Sequence, residues 1–108
     1  MDYINKANLY FQYFKSKDIV SLSNLFSNNI ILKDWNINVN GYKNVVNQNK
    51  LIFDSLGDFD LLVKKLSQVE NIVFAEIEII TNKEVTIVLD KLEFDSDGKI
   101  FKITAFKG

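Results

Sequence analysis

The 108-residue chain contains no cysteine, no histidine and no proline, and lysine is its only basic side chain. Without cysteine there is no disulfide framework, no thiolate zinc site and no thiol nucleophile. Without histidine the commonest general base is missing, and with it every Ser-His-Asp arrangement and most transition-metal sites. The missing arginine removes the planar fork that grips phosphate, and a formal net charge of -1 leaves no basic excess. Nucleic acid is therefore excluded as a partner. No apolar run approaches the roughly 20 residues needed to span a bilayer. The opening Met-Asp-Tyr-Ile-Asn-Lys lacks the apolar stretch of a signal peptide. A soluble, cytoplasmic protein without membrane association is expected. No linker, repeat or low-complexity tract divides the sequence, so residues 1–108 are read as one domain.

Hydrophobic residues make up 47% of the chain and aromatics 13%, nine of them Phe, enough for one core with large side chains. Ile4, Ala7, Phe11 and Phe14 recur at helical spacing, with Tyr3 and Tyr10 beside them. Ser16-Lys17-Asp18 interrupts that pattern, and Asp18 is placed to cap a second helix carrying Ile19, Leu22, Leu25 and Phe26. Ser27-Asn28-Asn29 is expected to end it. From Ile30 the period changes to two: Ile30, Leu32 and Asp34 share one strand face, Ile31, Lys33 and Trp35 the other. A short extended piece around Ile37 and Val39 leads to the Asn40-Gly41 turn. A third helix then presents Val45, Val46, Asn49, Ile52, Phe53 and Leu56 on its inner stripe and stops at Gly57. The remaining half predicts four strands in an antiparallel meander, the last hairpin turning at Asp95-Ser96-Asp97-Gly98. The class is α+β.

With Cys and His absent, catalysis falls to carboxylates, Tyr, Lys, Ser/Thr, amides or a bound cofactor. The stretch around Asp90 is the most informative. One strand face reads Thr86, Val88, Asp90, Leu92, Phe94, apolar except for the carboxylate. The other face turns from apolar to charged, as at a sheet edge. A carboxylate in an apolar column must pair or become neutral, which marks it as a site candidate; a structural Asp bonded to amides or a lysine is the alternative. Asp34 ends the column of Ile30 and Leu32, either facing the open end of a cavity or capping its own backbone. Tyr10 sits among core aromatics, where packing alone is the usual role. Glu76 and Glu78 share one face and read as solvated.

These residues sit in a sequence that resembles the nuclear transport factor 2-like superfamily, in the branch of SnoaL-like cyclases and ketosteroid isomerases. Lys17-Asp18, Leu25-Phe26-Ser27-Asn28-Asn29, Leu32-Lys33-Asp34-Trp35 and Gly41 before a helix carry the likeness at one end. Leu92-Glu93-Phe94, Asp97-Gly98-Lys99-Ile100 and Ala105-Phe106 carry it at the other. The resemblance implies a cone-shaped barrel, in which a curved antiparallel sheet packs on three N-terminal helical segments around a cavity. It also implies a homodimer through the outer sheet face. The ketosteroid isomerases have a tyrosine in the first helix, an aspartate base after the first strand and an aspartic acid on a late strand. These fall on Tyr10, Asp34 and Asp90. In those isomerases an apolar site keeps the late-strand acid neutral, so that it can donate a hydrogen bond. By that likeness Asp34 would take a proton next to a carbonyl, and Tyr10 and Asp90 would hold the enolate oxygen. Trp35, Phe14, Val88 and Leu92 are expected to line the cavity. Trp35 replaces the proline that usually follows the base, and whether it walls the cavity, fills or reshapes it, or packs against a helix or partner subunit stays open in the sequence. The implied ligand is small and apolar or carbonyl-containing, with no cofactor and no metal. A non-catalytic ligand-binding module and a dimerisation domain remain open.

Overall fold

The computed structural model describes residues 2–108. Helix α1 (Tyr3–Lys15) begins where the Asp2 carboxylate accepts the Asn5 N–H at 3.0 Å, and buries Ala7, Tyr10, Phe11 and Phe14 along one side. Lys17 takes a left-handed backbone (φ 56°), and Asp18 then caps α2 (Ile19–Ser23) through the Ser21 N–H. The chain becomes extended at Phe26, four residues before the alternation begins in the sequence. Strand β1 runs Phe26–Lys33, so Ser27-Asn28-Asn29 lies within it rather than ending a helix. The reason is tertiary: Phe26 is buried and pairs with Ile100, and the register shifts between Phe26 and Ile31.

Strand β2 (Asn38–Asn40) folds back on β1, and Gly41 (φ 92°) leads into α3 (Tyr42–Leu56). Gly57 closes that helix at φ 62°, a conformation a side chain would strain. Four strands follow, β3 (Asp60–Val69), β4 (Ile72–Ile80), β5 (Val85–Phe94) and β6 (Ile100–Lys107), each antiparallel to the next.

The sheet order is β2-β1-β6-β5-β4-β3. One strand in from the β2 edge, β1 and β6 run parallel, with Leu32 opposite Ile103. The sheet is therefore mixed at this one pair, where an antiparallel sheet was expected. A parallel pair needs a long crossover, and here everything between residues 33 and 100 serves as one. The curved sheet stays open, with β2 and β3 as its edges, rather than closing into a barrel.

The inner face of the sheet, including Leu32, Ala75, Ile77, Val88, Leu92 and Ile103, packs against α1 and α3 in one core. Strand β5 lies between β4 and β6, so its charged half does not mark a sheet edge as the sequence pattern implied. Its outer face simply meets solvent, and Val85, Ile87 and Leu89 are exposed there.

Candidate functional site

At one end of the core the helices and the sheet part, leaving a cavity of about 300 Å³. Its floor and walls are mostly apolar. Phe11 and Phe14 come from α1, Ile52 from α3, Leu32 from β1 and Val88 from β5. Exposed Trp35, Ser55, Glu84 and Lys107 surround the mouth. The Lys107 ammonium lies 5.8 Å from the centre of the Trp35 ring, within cation–π range. Trp35 is 47% exposed, so it forms part of the rim and does not fill the cavity.

Tyr10, Asp34 and Asp90 all line this cavity, as do Phe14, Trp35 and Val88. Leu92 does not. It lies two residues further along β5 on the same face, 0% exposed and beyond the cavity wall. Alternation tells which face a residue occupies, not how deep the cavity reaches.

The Tyr10 ring is wedged against Phe11 in an edge-to-face contact at 5.1 Å, with Phe14 at 6.1 Å and Phe26 at 6.5 Å. Such packing fixes where its hydroxyl points. Tyr10 and Asp90 are 4% and 7% exposed, and neither side chain hydrogen-bonds to another described residue. No fully occluded side-chain nitrogen or oxygen among the described residues lacks a partner. The unpartnered oxygens of Tyr10 and Asp90 therefore still reach open volume, and the volume these residues line is the cavity. Burial, and then the Asp34 charge, push the Asp90 carboxyl from 3.8 up to about 7. Burial, with Asp90 adding to it, also raises the Tyr10 phenol well above its ordinary value.

Asp34 follows β1 and closes a tight turn. Its Oδ1 accepts the N–H groups of Asn36 and Ile37, each at 2.7 Å, and its own N–H donates to the Ile37 carbonyl at 2.8 Å. Both sequence alternatives for this residue hold at once, since it caps its own backbone and lines the cavity. The turn occupies one carboxylate oxygen and fixes the group; Oδ2 takes no hydrogen bond from a described residue.

No family sequence model matches the chain, and no curated protein matches it by sequence. Solved structures do match in shape. A candidate ketosteroid isomerase from Kribbella flavida superposes with a TM-score of 0.84 at 17% identity, over 94% of this chain and 74% of that one. An uncharacterised cystatin-fold protein from Novosphingobium aromaticivorans gives 0.84 at 14% identity, covering 97% of each. A candidate SnoaL-like polyketide cyclase from Shewanella denitrificans gives 0.81 at 12%, covering 98% and 90%.

The chain has the nuclear transport factor 2-like fold. At these identities the likeness is one of fold, and any activity of this chain has to be argued from its own site.

Asn49, Thr86, Glu84 and Lys107 also line the cavity, and none of them stood out as a site residue in the sequence. Asn49 carried a usable signal, a polar residue in the apolar inner stripe of α3. Glu84 and Lys107 carried none, since each reads as an ordinary charged residue at a strand end.

Proposed function

We propose that this protein binds a small carbonyl compound in its cavity and moves a proton next to the carbonyl through an enolate. One observation carries this: the side-chain oxygens of Tyr10 and Asp90, buried and without protein partners, line a mostly apolar cavity beside the carboxylate of Asp34. An apolar pocket with a few convergent polar groups of perturbed pKa is what a ligand site requires. A cavity of about 150 Å³ holds benzene, so one of about 300 Å³ suits a ligand of two rings.

The Tyr10 hydroxyl and the protonated Asp90 carboxyl both donate to the ligand's carbonyl oxygen. Asp34 then removes a proton from the neighbouring carbon through its free oxygen. The electrons of the broken C–H bond form the enolate double bond, and negative charge builds on the oxygen facing the two donors. Donors fixed before the reaction cost no reorganisation when that charge appears. Reprotonation at the same or a conjugated carbon by Asp34 restores the base. The names isomerase and polyketide cyclase, given to two of the structural neighbours, fit chemistry that begins with this step.

The ketone α-tetralone has two rings and an exchangeable hydrogen beside its carbonyl. In heavy water the protein is expected to catalyse saturable deuterium incorporation at that carbon, followed by mass spectrometry. Binding without exchange would favour a ligand-binding module instead. Neither binding nor exchange would remove the cavity reading altogether.

The outer sheet face supports a second role, as a homodimer surface. Val85, Ile87 and Leu89 on β5 and Phe106 beside Leu89 on β6 are exposed, which is an unusual concentration of large apolar groups. Sedimentation is expected to show a dimer at micromolar concentration, and the Ile87→Lys, Leu89→Lys double variant a folded monomer. A wild-type monomer under those conditions would reject this role. No helix among the described residues is long and apolar enough to cross a membrane.

A further inference from the structure

The inner stripe of α3 contains one amide among apolar side chains. Asn49 is 1% exposed, between Val45 and Phe53 on the same face of the helix. A buried amide is costly unless its polar atoms are satisfied. Its Nδ2 donates to the Val45 carbonyl, one helical turn back, at 2.9 Å. Turning the amide over would set Oδ1 against that carbonyl oxygen, so the bond fixes which end faces away from the helix. Oδ1 accepts no hydrogen bond from a described residue, and it is not sealed off, because no fully occluded polar atom among the described residues lacks a partner. Asn49 lines the cavity. Its carbonyl is thus a buried acceptor that α3 presents to whatever the cavity holds, whereas Ser55 of the same helix is exposed at the mouth.

We propose that Asn49 is a specificity-determining residue whose side-chain carbonyl accepts a hydrogen bond from a hydroxyl or amine on the ligand, remote from the carbonyl held by Tyr10 and Asp90. This rests on the cavity binding a carbonyl compound, and it narrows the class to ketones with a donor on the second ring. The polar groups of the cavity are not alike. Tyr10 and Asp90 come from α1 and β5 and offer donors to one ligand oxygen, whereas Asn49 comes from α3 and offers an acceptor. A hydrocarbon ketone satisfies the first pair and leaves the amide oxygen unpaired in an apolar wall. A site with a buried polar group discriminates strongly against ligands that leave it unpaired. Thr86 also lines the cavity, but its hydroxyl rotates to donate or accept and imposes no such preference.

The test compares α-tetralone with its ring-hydroxylated and ring-amino derivatives, by calorimetry on the full chain. At least one derivative is expected to bind about tenfold more tightly than α-tetralone. In Asn49→Leu, which removes the amide at similar volume, that preference is expected to fall to about unity, because α-tetralone no longer leaves an oxygen unpaired and the derivative has lost its acceptor. Asn49→Ala gives the same comparison should leucine crowd the cavity. Binding of α-tetralone with no preference for any derivative, or a preference that survives in both variants, would overturn the assignment to Asn49 alone. Failure of every probe to bind would overturn the cavity reading and this inference with it.

Discussion

Asp34→Asn is expected to slow deuterium exchange into α-tetralone by about 10²- to 10⁴-fold, the range typical for losing a positioned general base. Affinity for the ketone is expected to change only a few-fold. Asparagine suits the test because it separates the two things Asp34 does. Its Oδ1 still accepts the Asn36 and Ile37 N–H groups that close the turn, so the loop after β1 keeps its shape. What disappears is the negative charge and the oxygen able to take a proton. Alanine would remove the turn and the base together and decide nothing. If the Asp34→Asn variant supports exchange at the wild-type rate, Asp34 is a turn-forming residue only and the enolate mechanism has lost its base. The substitution also takes away the second of the two causes that raise Asp90, so the carboxyl there should titrate lower in the variant.

The second large effect is on stability. Asp90 titrates near 7 in the folded protein against 3.8 for an ordinary aspartate. Below 3.8 it is protonated in both folded and unfolded chains and the two states do not differ. Between 3.8 and about 7 the unfolded chain has released the proton and the folded chain still holds it. Stability therefore falls as pH rises through this window, by about 1.4 kcal/mol per pH unit, and levels off above it. Asparagine has no proton to release. The stability of Asp90→Asn relative to wild type should thus grow by about 2 to 3 kcal/mol between about pH 5 and pH 8. Urea unfolding at the two pH values measures this, and the change between them is independent of any fixed difference in packing. A constant difference would mean that Asp90 is ionised in the folded protein at neutral pH. Stability held back by a buried acid is a common cost of keeping a polar group ready for a ligand.

Much of this arrangement could be read from the chain because strands alternate. Thr86, Val88, Asp90, Leu92 and Phe94 fall on one face in the sequence and on the inner face of the sheet in the structure. The one charged residue in that column lines the cavity. The same kind of anomaly existed in α3, where Asn49 interrupts an apolar stripe, but a helix tolerates an amide bonded to its own backbone and the signal was weaker. The start of β1 was not legible. Ser27-Asn28-Asn29 favours turns locally, and only the pairing of Phe26 and Ile31 on either side of it with β6 draws it into a strand. The parallel pairing was hidden for the same reason, since it joins segments about 70 residues apart and no local pattern encodes it. Asp34 was legible as a candidate for either role, and sequence alone had no means of indicating that one carboxylate oxygen serves the turn while the other is left over.

The parallel pairing of β1 with β6 also governs how the domain assembles. Strand β6 (residues 100–107) is one of the two central strands and pairs on one side with β1 (residues 26–33), so β1 and β2 join the rest of the sheet only when distant parts of the chain meet. Hairpins β3–β4 and β4–β5 close locally and quickly, whereas the β1–β6 contact must overcome the entropy of a long loop before it gains any pairing. Strand β6 brings Ile103, Ala105 and Lys107 to the cavity, and β1 brings Leu32. During synthesis the helices and the first strand leave the ribosome long before their partner exists. Until β6 arrives, apolar residues of β1 such as Ile30 and Leu32 have no neighbouring strand on that side, and the nascent chain passes through a stage in which its cavity does not yet exist.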